Sequence, residues 1–223
     1  MIADDLKAVQ DRIDAACCRA GRDPSQVKLV AVSKTHPANV LLEAIAAGAT
    51  VLGENKVQEA EAKITELGPD AAEWHLIGHL QSNKARKAVQ LFDVIQSVDS
   101  LELAERLERI CEQEERERLP ILVQVDLAAE ETKSGIPEHD LPELVECLGR
   151  CKHLAFNGLM VLPPFLDDPE ATRPYFKRLR EIRDRVLPDG ELSMGMSHDF
   201  EVAIEEGATI VRVGTAIFGT RGK

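Results

Sequence analysis

Apolar positions along the chain alternate between two spacings. Over residues 3–20, Leu6, Val9, Ile13 and Cys17 recur three and four apart, the period of one helix face turned to a core. Gly21 and Pro24 follow, as expected at a helix stop. The stretch K-L-V-A-V-S-K-T-H-P, beginning at Lys28, then carries an unbroken apolar run from Leu29 to Val32, the mark of a strand buried on both faces. Val40, Leu41, Ala44 and Ile45 return to helical spacing, closed by Gly48. A short strand is expected over 50–53, a helix over 56–67 and a turn at Gly68-Pro69.

The unit repeats. Strand 74–77 leads to a helix capped by Ser82 and running to Gln90; strand 92–96 leads to a helix capped by Asp99 or Ser100 and reaching Glu117. Strand 120–125 is followed by the polar loop A-A-E-E-T-K-S-G and a helix near 139–150. Strand 154–160, ended by Pro163-Pro164, precedes a charged helix over roughly 168–187. Strand 191–194 precedes a helix capped by Ser197, and strand 209–213 gives onto G-T-A-I-F-G-T. Strands alternating with helices demand parallel pairing through right-handed crossovers. A doubly wound open sheet shares that alternation, but the count of eight strands favours an α/β fold of one kind, a single (β/α)8 TIM barrel with an extra N-terminal helix. No linker, low-complexity run or shift in composition divides the chain, so one domain over 1–223 is expected.

Composition narrows the partners. The 223 residues hold 39 acidic and 27 basic side chains, a net charge of −12, which argues against nucleic acid because phosphate contacts need clustered Lys and Arg. Aromatic residues are only 4%, too few for base-stacking surfaces. No apolar run approaches the length of a membrane span, and residues 1–20 carry acids throughout, with no signal-peptide core. Cys17, Cys18, Cys111, Cys147 and Cys151 form no C-x-x-C pair and read as apolar fillers of a protein in a reducing cytoplasm. Acidic charge, one domain and no helix face that stands out as a dimer seam suit a monomer.

In such a barrel the chemistry sits at the carboxyl ends of the strands. Those ends read Lys34, Asn55, His79, Ser97, Asp126, Met160, Ser197 and then Gly214-Thr215. Lys34 stands at the mouth of a core, where burial favours the neutral amine that attacks an aldehyde; a lysine snorkelling to water is the plainer alternative. Barrels often bind phosphate with the loops after the seventh and eighth strands. There G-M-S-H-D supplies Gly195 and Ser197, and R-V-G-T-A supplies Gly214 and Thr215. An amine on one side and a phosphate site on the other describe a pocket for a phosphorylated aldehyde. Arg212 lies inside the last strand, facing opposite to Val211 and Val213. Its guanidinium suits either a ring nitrogen kept unprotonated or a carboxylate such as Glu201 or Asp126.

The blocks A-V-S-K-T-H-P, L-G-E-N, W-H-L-I-G-H-L-Q-S-N-K, E-E-T-K-S-G, G-L-M, L-S-M-G-M-S-H-D and R-V-G-T-A-I-F-G run in order from about Leu29 to Gly219. They resemble the pyridoxal phosphate homeostasis protein family, although the C-terminus, ending R-G-K, is short. The resemblance implies one barrel similar to the N-terminal domain of alanine racemase, with pyridoxal 5′-phosphate (PLP) bound as a Schiff base on Lys34. It also implies phosphate contacts at Ser197, Gly214 and Thr215, a pyridine-nitrogen partner at Arg212, and Asn55 and Met160 along the ring.

The resemblance further implies a protein that stores PLP and hands it over, with PLP-dependent apoenzymes as candidate recipients. Racemisation by PLP needs bases on both faces of the carbanion. The racemase resemblance assigns the second base to a tyrosine of another domain, whereas Tyr175, the only tyrosine here, falls in an outer helix. An arginine at the ring nitrogen also weakens the electron sink. The expectation is therefore a carrier without catalytic turnover. One alternative is a weak racemase-like enzyme with His79 or water as second base; another is a PLP-free sugar-phosphate barrel with Lys34 as a Schiff-base lysine. His75 and His79 lie roughly 13 Å apart if on a strand, too far to share a metal, and Gly214-x4-Gly219-Thr220-Arg221 lacks the Lys-Ser/Thr pair of a phosphate loop. His198-Asp199 reads as helix-dipole compensation or a proton relay, Lys84 and Arg86 as surface charges, and Lys133 as a solvated, idle loop lysine or else one that transiently takes PLP.

Overall fold

Consecutive parallel strands can be joined only by crossovers, so a chain alternating strand and helix periods lays its helices outside a sheet that can close on itself. The computed structural model, which describes residues 1–128 and 134–219, has that closed form. The first half runs α1 (Ile2–Arg19), β1 (Lys28–Val32), α2 (Ala38–Ala46), β2 (Val51–Glu54), α3 (Val57–Leu67), β3 (Glu73–Leu76), α4 (Ala85–Leu91) and β4 (Val94–Val98). Then follow α5 (Leu101–Gln113), β5 (Leu119–Asp126), β6 (Ile136–Pro137), α6 (Leu141–Leu148), β7 (Leu154–Met160), α7 (Arg173–Val186), β8 (Glu191–Met196), α8 (Phe200–Glu205), β9 (Ile210–Val213) and α9 (Thr215–Phe218). Eight of these strands pair in the order β4-β3-β2-β1-β9-β8-β7-β5, and β4 pairs with β5 to shut the ring. All the pairings are parallel. The expected (β/α)8 barrel is therefore present, with α1 packed against α2, α8 and α9.

The period of two along each strand sorts side chains to the two faces of the barrel wall. Val30, Val51, Val94, Leu122, Met160 and Ile210 form a compact apolar cluster inside the ring. A larger cluster fills the layer between ring and helices, with Leu103, Ala104, Leu107, Ile110 and Cys111 supplying the buried face of α5. Fully burying one such leucine or isoleucine is worth about 1.5–3 kcal/mol. Gly158 is obligatory where β7 meets β8, because a Cβ there would lie 2.1 Å from the Glu191 carbonyl oxygen.

Several local expectations are corrected. Ser82 caps no helix: it opens a single 3-10 turn, Ser82–Lys84, ahead of α4, and its side chain makes no capping bond. Ser100, not Asp99, caps α5, accepting from Leu103 N–H at 3.2 Å, a bond worth about 1 kcal/mol. That helix stops at Gln113 because Glu115 turns left-handed (φ 54°) and Arg116 N–H returns to the Cys111 carbonyl. The short strand β6, paired to the end of β5, went unforeseen, since two residues carry no readable period. Ser197 does not cap α8; its hydroxyl is used elsewhere, as described below. Lys133, Thr220 and Arg221 lie outside the described residues.

Candidate functional site

Just past the end of β1, Lys34 is half-buried in the turn after Ser33. The turn is pinned from behind. Ser33 is fully buried, its hydroxyl donating to Glu54 Oε1 at 2.6 Å. Lys63 Nζ, reaching in from α3, donates to the same Oε1 at 2.6 Å, to the Ser33 carbonyl at 2.8 Å and to Glu59 at 2.8 Å. Glu59 also accepts from Thr35 N–H, which holds Thr35 in the left-handed region (φ 69°), an uncommon and strained place for a β-branched residue. Burial pushes the Glu54 carboxyl above its ordinary pKa against the pull of Lys63 and Ser33. Its second oxygen is buried without a hydrogen-bond partner among the described residues. Outside this cluster His36 stacks on Phe218, centroids 5.0 Å apart, tying the lysine turn to α9.

The strand beside β1 is β9, and Val30 sits opposite Arg212 in their register. Arg212 is 3% exposed. Its guanidinium donates to Ser193 Oγ and, at 2.8 Å, to the Val161 carbonyl. Burial pulls its pKa down to about 10, opposed by the charge of Asp199. Asp199 is itself buried, pushed up by desolvation, and accepts from Met196 N–H at 2.7 Å. It is thus the counter-charge to Arg212 rather than only compensation for a helix dipole. Glu201, one of the carboxylates offered as a partner for Arg212, pairs instead with Arg12 and Arg19 on the surface.

At the same rim Ser197 Oγ accepts from Gly214 N–H at 3.2 Å and Ala216 N–H at 3.4 Å. The hydroxyl therefore bridges two loops, from β8 to the start of α9, and brings Ser197, Gly214 and Thr215 together. Gly195 (φ 92°) lets β8 bend there, because a Cβ would come within 2.6 Å of Ala203 Cβ. Asn55, at the end of β2, is half-buried and lines a cleft of about 380 Å³ with Gly78, His79 and Gln81. Met160 is fully buried in the inner cluster directly below the mouth. Exposed His79 pairs through Nδ1 with Asp99 at 3.1 Å, and burial raises the Asp99 pKa. Ser97 is fully buried within β4, which continues to Val98 through an irregularity in its pairing with β5. A larger cleft of about 570 Å³ opens at the other end of the barrel, between α1 and the starts of β1 and β2, away from these groups.

Behind Arg212 a series of polar side chains crosses the barrel interior, and sequence reasoning gave none of them a role. Ser193 bonds Gln96 at 2.6 Å, Gln96 bonds His75 at 2.6 Å, His75 bonds Glu73 at 2.8 Å, and Lys28 closes on Glu73 at 2.9 Å. The available signal was a polar residue at every inward position where the strands W-H-L, V-I-Q-S-V and L-S-M-G-M break their apolar runs.

Comparison with known proteins agrees in fold and sequence. Residues 5–222 match the family described as alanine racemase, N-terminal domain. The pyridoxal phosphate homeostasis protein of Aquifex aeolicus is 44% identical, with 97% of this chain and 96% of that protein aligned. Its counterpart from Pseudomonas aeruginosa is 45% identical over 99% and 96%. PipY of Synechococcus elongatus, solved with PLP bound, superposes with a TM-score of 0.84 at 43% identity, covering 98% of this chain and all of that one.

Proposed function

The chain belongs to the pyridoxal phosphate homeostasis protein family, and on that premise we propose that it holds PLP as a Schiff base on Lys34 and serves intracellular PLP homeostasis without catalytic turnover. The observation that carries this reading is the neighbourhood of Lys34 and Arg212. Lys34 is half-buried in the turn that follows β1, and Arg212, a buried donor-only guanidinium, lies on the neighbouring strand β9. The amine joins the aldehyde carbon with loss of one water.

The residues fit the cofactor on independent grounds. Arg212 uses two hydrogen bonds of a five-donor group, which leaves N–H groups for a ring nitrogen, and it has no proton to lose to that nitrogen at neutral pH. Ser197 and Thr215 offer hydroxyls for the phosphate, and the Gly214 N–H, donated to Ser197 Oγ, holds that serine at the rim. Asn55, half-buried at the end of β2, and Met160, at the end of β7, are the residues assigned to the ring. When bound, PLP offers an electron sink, and an arginine partner makes it a weak one. Tyr175, the chain's only tyrosine, is on α7 in the outer helix ring, so no phenol is supplied as a second base. Under this reading the protein is a cytoplasmic, single-domain monomer that binds neither nucleic acid nor membrane and passes PLP to apoenzymes. No helix among the described residues is long and apolar enough to cross a membrane.

The test is the absorption spectrum of purified protein with added PLP, before and after borohydride, with Lys34→Ala alongside. A Schiff-base band that borohydride traps on Lys34 is the expected result. No band, or trapping elsewhere with Lys34→Ala unchanged, would overturn the reading. One observation favours a second reading as a weak amino-acid enzyme: the His79–Asp99 pair borders the cleft that Asn55 lines, where a base would stand. Exchange of an amino acid's α-proton with deuterated solvent, lost in His79→Ala, would establish it.

A further inference from the structure

The polar series behind Arg212 has a sense, and both ends impose the same one. At the mouth, a guanidinium can only donate. Ser193 Oγ must therefore accept from Arg212, and its own proton goes on to Gln96 Oε1 at 2.6 Å. That fixes Gln96 with its amide nitrogen toward His75, where Nε2 lies 2.6 Å from Nδ1. Nδ1 is then an acceptor, so the imidazole carries its proton on Nε2 and donates it to Glu73 Oε1 at 2.8 Å. At the foot of the barrel, Glu73 is acceptor-only. Lys28 Nζ also donates to Glu73 Oε1, at 2.9 Å. The reverse sense would need a guanidinium that accepts or a carboxylate that donates. Turning Gln96 over to face a cationic His75 would aim an N–H at Ser193 and leave the serine proton facing donors only.

We propose that Ser193, Gln96 and His75 are positioning residues that form a one-way donor chain through the barrel, holding the Arg212 guanidinium fixed against the ring nitrogen of bound PLP. The inference rests on the PLP reading above. The three residues are buried to within 1%, so no water competes for the bonds, and their cost in an apolar barrel is offset only while every member is satisfied. A simple barrel-filling role would be served by the valines and leucines that occupy the rest of the interior. The polar chain instead runs to Arg212, a buried cation at the mouth. Its action on PLP is indirect: with the chain intact the guanidinium presents a single orientation, and the ring nitrogen meets a donor that cannot surrender its proton.

Two measurements test this, one of which needs no cofactor. In the apo protein, the 15N resonances of His75 should report a neutral ring protonated at Nε2 and not at Nδ1. In Gln96→Leu the Nδ1 shift should move as its donor is lost. With PLP bound, Ser193→Ala and Gln96→Leu should shift the ring-nitrogen 15N resonance toward the protonated value and weaken PLP binding roughly tenfold, the scale of one unsatisfied buried donor. Leu107→Ala, which opens a hole in the layer between ring and helices away from the polar series, controls for instability and should leave both resonances in place. A doubly protonated His75, or variants whose PLP resonance matches the unsubstituted protein, would sink the donor chain while leaving PLP binding intact. Absence of PLP from the unsubstituted protein would instead sink the functional reading, and the apo measurement would still decide the sense of the chain.

Discussion

The two sides of the barrel mouth are held in place by different physics. On the β1–β2 side the lysine turn is anchored by charge: Lys63 Nζ bonds Glu54, Glu59 and a backbone carbonyl at once, nearly out of reach of water. On the β8–β9 side the anchors are mostly neutral: Ser197 between two loops, and Ser193 and Gln96 behind Arg212. A buried ion pair costs much desolvation and returns it only when complete, so it behaves as a unit. Neutral hydrogen bonds fail one at a time, each at about 1 kcal/mol. Lys34, the amine proposed to react, thus follows the side where the frame is all-or-none, while the groups assigned to cradle phosphate and ring sit where the frame can adjust.

Breaking the charged side should have the largest effect. Lys63→Ala leaves Glu54 buried and unpaired and is expected to cost about 3–5 kcal/mol in urea unfolding. Glu54→Gln should cost about 1–2 kcal/mol, because Lys63 keeps Glu59 and the Ser33 carbonyl. Equal losses in the two variants would show that the bonds Lys63 keeps to Glu59 and the Ser33 carbonyl do not compensate for Glu54. On the other side, Asp199→Asn keeps the acceptor for Met196 N–H but removes the counter-charge to Arg212. A loss of about 2 kcal/mol is expected, smaller than for Lys63→Ala, since neutral groups still hold the guanidinium. Ser197→Ala frees two backbone N–H groups at a half-buried rim, and about 1 kcal/mol is expected with no change of fold by circular dichroism.

The smallest effect contrasts Glu54 at the lysine turn with Glu73 at the foot of the barrel by the sign of their pH dependence. Glu73, with its pKa depressed to about 2, binds fewer protons folded than unfolded. It contributes stability above pH 4.5 that is lost as pH falls toward 2. Glu54, with its pKa raised by burial, does the opposite, contributing stability below 4.5 that is lost as pH rises through its elevated value. Unfolding followed across pH should show a shallower acid limb in Glu73→Gln and a shallower fall above pH 4.5 in Glu54→Gln. Parallel curves for both variants would mean that neither shift operates.

Much of the mouth was legible in the sequence because strand ends are. An apolar run that stops at a polar residue marks where a buried strand meets water, and in a parallel barrel all such ends converge on one face. Lys34, Asn55, Ser197 and Gly214 were found that way, and Arg212 followed from its parity between two valines. What failed was everything that depends on a partner distant in the chain. Ser197 is a good cap by local rules, yet its oxygen is taken by N–H groups 17 and 19 residues on. Asp199 looks like a first-turn acid, but folding sets it against a buried arginine.

The sequence alone determined the alternation of strand and helix, the count of eight, and hence the barrel and the face on which its chemistry gathers. These are local periods, and local periods survive in one dimension. Only the tertiary structure decided which polar side chains meet. Lys63 and Glu54 are nine residues apart, Ser193 and Gln96 ninety-seven, and both contacts measure 2.6 Å. Hydrogen bonds act over a few ångströms and have no period along the chain, so their pairing, and with it the orientation of Arg212, exists only once the ring is closed.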